Sequence, residues 1–420
     1  MKLAAALALG VLLLVACEGE DVAAPPPAEE PGTVPAPGPV RVGLLYTVSG
    51  VGQGFAQAAL GAAALAEAEG RSRGVEIEIV DGEYGGDPAR ATEVAERLAG
   101  DGVAGIVVAS DDPALGAELS GFDAVPLVHA LVAADGAVSP GGAGFRVAPP
   151  NRLQAATLAR FLVADRGYDR VAILHERSPF GNEGAGDLER AVLREGAEVV
   201  LRQDFRIGGD TRTALTHAHQ LEADALVLWT RDAGEAGRIT IEAHDAEVAY
   251  QLVVSGNLAT FDFGKNASSQ VTPVAFREGI LSVGTWAGPW FDLDRLTGFY
   301  ERFRRENDAV AEFQAIQIHD AVLLLGEAAG DAGTDPTGLK AALERTTDFV
   351  GAGVPLSFSP DDHEGVGPED MAILAFTKDP RAAGGEFAPD LSTGGGFFTI
   401  NARSVELPPD LAYLLEEVSA

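Results

Sequence analysis

The 420-residue chain is poor in cysteine, lysine and long apolar runs, and each shortage excludes a class of structure or partner. Its one cysteine, Cys17, has no partner within the chain, so internal disulfides do not hold the fold. Only four of the 30 basic residues are lysine, and 63 acidic residues bring the net charge to −33 at pH 7. This charge repels phosphate backbones and anionic membrane surfaces, and we therefore expect no nucleic-acid partner.

The apolar content is nevertheless sufficient for a folded protein. Hydrophobic residues make up 46% of the chain, and the length corresponds to two or three domains of about 100–200 residues each. After residue 16, no apolar run approaches the ~18 residues that a membrane-spanning helix requires. We expect a globular body without a transmembrane helix.

Residues 1–17 predict export and lipid attachment. Lys2 precedes an apolar run, Leu3–Ala16, and this is the pattern of a secretory signal peptide. The ending Leu14–Cys17 resembles the lipobox of bacterial lipoproteins, which implies that Cys17 is lipidated and becomes the first mature residue. Residues 18–39 hold seven prolines and few apolar residues, so they predict an extended tether between the lipid and a folded body.

From Val40 onward, short β-rich runs alternate with amphipathic helical stretches. This alternation is typical of parallel βαβ units with right-handed crossovers. In the first array, strands are predicted at Val40–Tyr46, Val75–Asp81, Val103–Ala109 and Val125–Leu131, with helices at Phe55–Glu69, Ala89–Ala99 and Ala114–Ser120.

A second array begins after residue 150, with Asn151 predicted to cap its first helix, over Arg152–Asp165. The strands of this array are predicted at Arg170–His175, Glu198–Arg202, Ala225–Trp229, Gln251–Ser255, Ile280–Gly284 and Met371–Thr377. Its further helices include Glu183–Glu195. Two successive arrays indicate an α/β protein with two similar lobes. We assign residues 40–149 and about 285–356 to lobe 1, residues 150–284 and about 357–378 to lobe 2, and leave residues 379–420 as a C-terminal extension without a predicted fold.

Several segments in order along the chain resemble the type I periplasmic binding proteins, in the leucine/isoleucine/valine-binding branch that serves ABC transporters. The segments that carry the resemblance are Thr47–Gly50, Asp81–Pro88, Ser178–Gly181, His319–Val322 and Gly353–Val366. The resemblance implies two Rossmann-like lobes with parallel sheets, joined by a hinge that the chain crosses about three times. It also implies a cleft between the lobes that closes on a small solute.

The same resemblance implies binding residues in lobe 1. Ser110 matches a serine whose hydroxyl meets the carboxylate of the ligand, and Asp111 beside it departs from the family's pattern. Ala130 to Val132 match a segment that donates backbone groups, with Val132 in place of a small hydroxyl residue. Phe55 is a further candidate for a wall of the cleft.

In lobe 2, Phe180 matches an aromatic residue that is usually tyrosine. The acidic acceptor for an ammonium group would fall near Asn257, which is neutral, so Asp232 is the alternative acceptor. Trp286, together with Trp290, is predicted to wall the cleft. These departures leave a branched-chain amino acid, an amide, a polyamine, an aromatic acid and a urea-like solute open as ligands.

Two histidine-containing motifs are weighed as metal sites and set aside. His217 and His219 lie two apart on a predicted helix and do not face each other. Asp361–Glu364 follows Ser-Pro and is interpreted as a solvated turn. We expect no metal, no cofactor and no catalysis, since the usual hydrolase and nucleotide-binding motifs do not occur.

The sequence therefore predicts a monomeric solute-binding lipoprotein on the extracytoplasmic face of the bacterial cell membrane. Its partners would be a small amino acid or related solute, an ABC transporter permease and the membrane itself, through the lipid on Cys17. A lipoprotein of the same fold that senses a ligand for a signalling partner is the alternative. An extracellular enzyme on this scaffold is a third and more distant possibility.

Overall fold

Short strands alternate with helices because runs of valine, isoleucine and leucine that are too short for helices are bounded by polar and glycine-rich turns. The computed structural model describes residues 38–49, 56–260, 263, 266–267, 280–285, 293–308, 311, 313–377 and 397–399. The strands within these ranges form two sheets.

The first sheet has five strands in the order β2-β1-β3-β4-β5, and all neighbouring pairs are parallel. The strands are β1 (Val40–Tyr46), β2 (Ile77–Glu83), β3 (Gly105–Val108), β4 (Leu127–His129) and β5 (Gly144–Arg146). The helices between them are α1 (Ala56–Ser72), α2 (Pro88–Gly100) and α3 (Pro113–Leu119).

The second sheet has seven strands in the order β12-β11-β10-β9-β8-β6-β7, with β11 and β12 antiparallel to their neighbours. The strands are β6 (Arg170–Glu176), β7 (Glu198–Phe205), β8 (Ala225–Trp229), β9 (Gln251–Val254), β10 (Leu281–Gly284), β11 (Ala372–Thr377) and β12 (Phe397–Thr399). The helices along this part of the chain are α4 (Asn151–Arg160), α5 (Pro179–Arg194), α6 (Arg212–Gln220) and α7 (Ala233–Asp245).

Three later helices return to the first sheet: α8 (Leu293–Asn307), α9 (Phe313–Ala332) and α10 (Pro336–Leu343). Helix α9 packs against α1, β1 and β3, while α8 packs on α1 and α10 on α9. We call the first sheet with α1–α3 and α8–α10 lobe 1, and the second sheet with α4–α7 lobe 2. The described chain thus passes between the lobes three times, and the residue boundaries given above stay a prediction. None of the helices in the described ranges has both the length and the apolar character needed to cross a membrane.

Proline and a capping side chain set the start of several helices. Asp87, Asp112 and Asp335 each precede a proline, and each accepts a hydrogen bond from a backbone N–H of the first turn, at 2.9–3.1 Å. Ser178 does the same for α5, where its Oγ accepts from Gly181 N at 3.1 Å. This helix therefore begins four residues before the predicted start.

Some boundaries agree with the sequence prediction and others differ from it. The strands Val40–Tyr46 and Ala225–Trp229 have the predicted bounds. The prediction that Asn151 caps its helix is wrong, because Pro150 occupies the cap position without a side-chain hydrogen bond and Asn151 is the first helical residue. Strand β5 has three residues and was not predicted, because so short a strand does not show the alternation of apolar and polar residues.

The interpretation of Asp361–Glu364 as a solvated turn holds for Asp361, which is exposed in a turn, and is wrong for His363 and Glu364. The His363 side chain is buried, and its Nδ1 lies 2.9 Å from Gly144 O. The Glu364 carboxylate accepts from Arg146 Nε at 2.6 Å and from Arg152 Nη2 at 3.0 Å. Burial by itself would raise the pKa of Glu364, but the two guanidinium groups outweigh it and hold the pKa at about 2.

A second buried ionic contact joins α1 to α9 within lobe 1. His319 Nδ1 donates to Asp320 Oδ1 at 2.8 Å, and His319 Nε2 lies 3.4 Å from Glu69 Oε2. Asp320 also accepts from the backbone N–H groups of Ala352 and Gly353, each at 2.7 Å. Burial alone would lower the pKa of His319, yet the two carboxylates raise it above its ordinary value. The carboxylates of Asp320 and Glu69 therefore favour the protonated form of His319, and Glu69 is also paired with Arg73 and Arg302.

Replacing His319 by glutamine should lower the free energy of unfolding by about 3 kcal/mol, because the buried Asp320 carboxylate loses its charged partner. Since the folded-state pKa is raised, this contribution is complete below the unfolded pKa and is lost as pH rises through the folded pKa. Urea denaturation should thus show a larger loss at about pH 6 than at about pH 9. The exposed His217→Gln on α6 is the control, and an equal loss at both pH values would contradict the assignment.

Candidate functional site

Polar residues follow the strands of both sheets at their carboxyl ends, the edge at which ligands bind in open α/β sheets. In lobe 1 they are Tyr84 after β2 and Ser110 to Asp112 after β3. In lobe 2 they are Glu176 at the end of β6, Thr230 to Asp232 after β8, and Ser255 to Asn257 after β9. The two edges lie close together. The side chain of Arg231, which follows β8 of lobe 2, reaches the loop after β3 of lobe 1.

Ser110 is buried in the loop after β3, with 1% of its surface exposed. Its Oγ lies 3.3 Å from the Tyr84 hydroxyl and accepts from Asp112 N at 3.2 Å. Burial raises the pKa of Tyr84, which keeps this hydroxyl neutral. The two hydroxyls and the start of α3 thus form one fixed unit, and Tyr84 is a residue that the sequence analysis missed.

Arg231 makes an ionic contact between the lobes. Its Nη1 donates to the backbone oxygen of Asp111 at 3.3 Å and lies 3.7 Å from Asp111 Oδ1 and 3.8 Å from Asp112 Oδ1. Only 13% of the Arg231 side chain and 14% of the Asp111 side chain are exposed. These distances show attraction between charges that are not in close contact.

The pKa of the Asp111 carboxyl is shifted above its ordinary value. Burial raises its pKa to about 6, Asp112 adds to this rise, and Arg231 opposes it. Its Oδ1 is buried and has no hydrogen-bond partner among the described residues. Asp111 is therefore an acceptor that a solute with a donor group can satisfy.

Glu176 positions the loop that carries Arg231, and the sequence analysis missed it. Its carboxylate accepts from Thr230 Oγ1 at 2.6 Å, from Arg231 N at 2.9 Å and from Ser178 Oγ at 2.5 Å. The same carboxylate lies 3.6 Å from Arg231 Nε. The sequence signal for Glu176 was an acidic residue at the end of a buried strand, two residues before Ser178-Pro179.

The other predicted residues of lobe 2 are engaged in their own loops. Asp232 Oδ1 caps α7 by accepting from Glu235 N at 2.8 Å. Asn257 Nδ2 donates to Thr230 O at 2.9 Å, while its Oδ1 has no partner among the described residues. Phe180 is buried in the core, with its ring centroid 5.9 Å from the Arg231 guanidinium carbon.

The predicted segment Ala130–Val132 is buried at the end of β4. Ala130 N donates to Val108 O at 3.0 Å, so this backbone donor belongs to the sheet. The Val132 side chain is fully buried. Cys17, Phe55, Trp286 and Trp290 lie outside the described residues.

A cavity of about 40 Å³ lies where the chain passes between the lobes. Gln154 lines it and holds the first passage against the loop after β9 of lobe 2, since its Nε2 donates to Pro149 O at 2.9 Å and its Oε1 accepts from Gly256 N at 3.2 Å. The cavity has room for ordered water. Its lining is Leu131, Ala133, Ala148, Pro149, Gln154, Gly256, Asn257, Val283, Gly284, Thr285, Phe313 and Gln317.

Two parallel-sheet lobes that meet at the carboxyl ends of their strands define the architecture of a cleft-closing binding protein. The sequence model of the family described as periplasmic binding protein matches residues 39–381, so the chain belongs to that family. Its fold is that of type I, as the resemblance implied. The family consists of solute-binding proteins rather than enzymes.

Individual relatives are distant. The Leu/Ile/Val-binding protein homolog 2 of Brucella abortus (strain 2308) is 24% identical over 216 residues, which cover 50% of this chain and 57% of the relative. The match thus spans little more than half the length of this curated relative.

Solved structures share the fold over most of the chain. The type 1 periplasmic binding protein of Bordetella pertussis Tohama I has a TM-score of 0.68 at 18% identity, covering 81% of this chain and 98% of its own. The branched-chain amino acid binding protein LivJ of Streptococcus pneumoniae, in complex with isoleucine, has a TM-score of 0.67 at 21% identity, with 81% and 97% covered. These similarities establish the fold.

Replacing Arg231 by methionine should raise the pKa of Asp111 above about 6, because Arg231 is the group that opposes the effect of burial. We expect a rise of about one pH unit or more, measured by carbon NMR of the aspartate carboxyls during a pH titration. Arg177→Met, at an exposed arginine that pairs with Asp204, is the control. An unchanged titration of Asp111 in Arg231→Met would show that the two groups do not interact.

Proposed function

We propose that this chain is an extracytoplasmic solute-binding lipoprotein that captures a small polar solute between its lobes and delivers it to an ABC transporter permease. Family membership supports the general role. The observation that carries the proposal is the contact of Arg231 with Asp111 across the two strand-end edges, which brings charged groups of both lobes to one place.

The charges at this place suit an amino acid or an amide-like solute. Arg231 and the Ser110 hydroxyl are donors for a carboxylate or carbonyl oxygen. Asp111 and Asp112 are acceptors for an ammonium or amide nitrogen. A solute with both kinds of group satisfies Asp111 and Arg231 better than their contact at 3.7 Å does.

Binding by closure follows from this arrangement. A solute that contacts both lobes stabilises the closed state by its difference in affinity for the closed and open states. The permease would then recognise the closed form.

The remaining candidates have supporting roles in this proposal. Asp232 and Asn257 set the loops of lobe 2, and Phe180 packs beneath the Arg231 guanidinium. Ala130 and Val132 form part of the base of the cleft on the side of lobe 1. We retain Phe55 and Trp286 as proposed walls of the cleft.

We also propose that the lipid on Cys17 and the tether of residues 18–39 hold the lobes near the permease. This rests on the lipobox-like ending of the apolar leader and on the proline-rich composition that follows it. One lipid chain binds a membrane only marginally, so the anchor requires the several chains of a bacterial lipoprotein.

Leucine, isoleucine and valine are the first solutes to test, because the relatives named above bind or are named for them; neutral amides follow. A binding solute should raise the melting temperature and give a calorimetric isotherm. Ser110→Ala should weaken binding about tenfold, by removing one hydrogen bond at a buried site. Ser120→Ala, at the exposed end of α3, is the matched control. No response to any amino acid or amide would refute the proposal.

Replacing Cys17 by alanine should move the protein from the membrane fraction to the soluble extracytoplasmic fraction, because the leader then has no lipid acceptor. The measurement is an immunoblot of separated fractions from cells that express equal amounts of each form. A variant that still sediments with membranes would show that the anchor is not on Cys17.

A further inference from the structure

The cavity where the chain passes between the lobes is lined by loops that neighbour the Arg231 contact. Leu131, in the loop after β4, and Asn257, in the loop after β9, both line it. In the two sheets, β4 is the neighbour of β3 and β9 is the neighbour of β8, and the loops after β3 and β8 carry Asp111 and Arg231. Asn257 Nδ2 also donates to Thr230 O at 2.9 Å, which joins the two loops of lobe 2. The cavity therefore lies at the same edge of each sheet as the candidate solute contacts.

Two residues that line this cavity carry an amide oxygen without a hydrogen-bond partner among the described residues. They are Asn257, through its Oδ1, from lobe 2, and Gln317, through its Oε1, from α9 of lobe 1. Gln317 is buried, with 8% of its surface exposed. The orientation of the Asn257 amide is fixed, because only its Nδ2 can donate to Thr230 O. A buried acceptor without a partner indicates a donor that the protein itself does not supply.

The rest of the described lining offers no charge. Gln154 uses both ends of its amide, since Nε2 donates to Pro149 O and Oε1 accepts from Gly256 N. Thr285 adds a hydroxyl, which can donate or accept. None of the lining residues in the part of the chain that the structure describes is Asp, Glu, Lys, Arg or His. The cavity therefore has unmet acceptors and no charged side chain to balance an ion.

A neutral N–H donor fits such a lining better than an ion does. Burying an ammonium group without a carboxylate beside it is costly, because the charge loses its hydration. A carboxylate is disfavoured as well, because the free oxygens of Asn257 and Gln317 are acceptors and repel it. The NH₂ group of a primary amide is neutral and donates two hydrogen bonds, one for each free oxygen. One water molecule needs about 10–15 Å³, so a cavity of about 40 Å³ has room for an NH₂ group.

We propose that the solute of this protein carries a neutral primary amide or urea group, which enters the cavity and donates to Asn257 Oδ1 and Gln317 Oε1. The inference rests on the proposed function and narrows its solute class, because it excludes a carboxylate at this position. Asn257 belongs to lobe 2 and Gln317 to lobe 1, so the NH₂ group contacts both lobes and favours the closed state. An ammonium group elsewhere on the solute is compatible with Asp111, whose buried Oδ1 has no partner among the described residues.

The test compares leucinamide with leucine, which differ only in carrying a carboxamide or a carboxylate. Calorimetric titration of the full chain at about pH 7 should give leucinamide a Kd at least about tenfold lower than that of leucine, because only the amide supplies donors to the cavity. A second pair, isovaleramide and isopentylamine, compares a neutral amide with an ammonium group on the same alkyl chain. Isovaleramide should bind more tightly than isopentylamine.

Two variants of Gln317 test the cavity itself. Gln317→Leu removes one free acceptor at similar volume, so the Kd of leucinamide should rise about tenfold while that of leucine changes less than about twofold. Gln317→Glu adds a negative charge, so the affinity for isopentylamine should gain on that for isovaleramide by about tenfold or more. Gln314→Leu, at a buried glutamine one turn earlier on α9 that does not line the cavity, is the control and should bind like the wild type.

The outcomes separate this inference from the proposed function. Leucine that binds as tightly as leucinamide to the wild type would overturn the inference and leave the proposed function standing. The same holds if Gln317→Leu weakens both compounds equally and Gln317→Glu leaves the preference between isovaleramide and isopentylamine unchanged, because the cavity then does not read the polar group. No binding of any of the four compounds, nor of the other amino acids and amides, would overturn both.

Discussion

Glu364 lies between the guanidinium groups of Arg146 and Arg152, and this buried contact fixes how the lobes are joined. Arg146 ends β5, just before the first passage of the chain between the lobes, and Arg152 lies in the first turn of α4, just after it. Glu364 belongs to the third passage, where Arg146 N and O also bond to His363 O and Gly365 N. Two passages that are distant in sequence are thus held as one unit. Removing either partner would leave a buried charge unpaired, which is costly.

The Glu364 contact indicates which parts of the protein we expect to move when the lobes close. Glu364 ties the first and third passages together, so we expect the lobes to rotate about these passages when the cleft closes. The strand-end loops lie beyond the axis, and they change their separation most when the lobes rotate. The Arg231 contact with Asp111 lies there, and its distances of 3.3–3.8 Å are those of a contact that a solute can replace.

The sequence was sufficient for the fold because the fold depends on local patterns. Ala225–Trp229 is an uninterrupted apolar strand and Val40–Tyr46 is interrupted only by Arg41 and Gly43, and Asp-Pro pairs mark helix starts through a contact only two or three residues long. It failed at Asn151 and at Glu364, whose surroundings are set by residues far away in the chain. At the site, Ser110 follows a recognisable strand, whereas the roles of Tyr84, Glu176 and Arg231 depend on which strands are neighbours in each sheet and on how the lobes meet.

The two ionic contacts between the lobes differ in charge balance, and this difference has a consequence for closure. At Arg231, one cation faces Asp111, Asp112 and Glu176, but Glu176 is satisfied by three hydrogen bonds within its own lobe. At Asp135, a carboxylate of lobe 1 lies near the carboxylates of Glu183 and Asp187 of lobe 2, and Arg152 and Arg190 pair with two of the three. In a chain of net charge −33, each closing step adds to repulsion that already exists. Under the proposed function, a solute that carries positive charge to the loops after β3 and β8 offsets part of this repulsion and so favours closure.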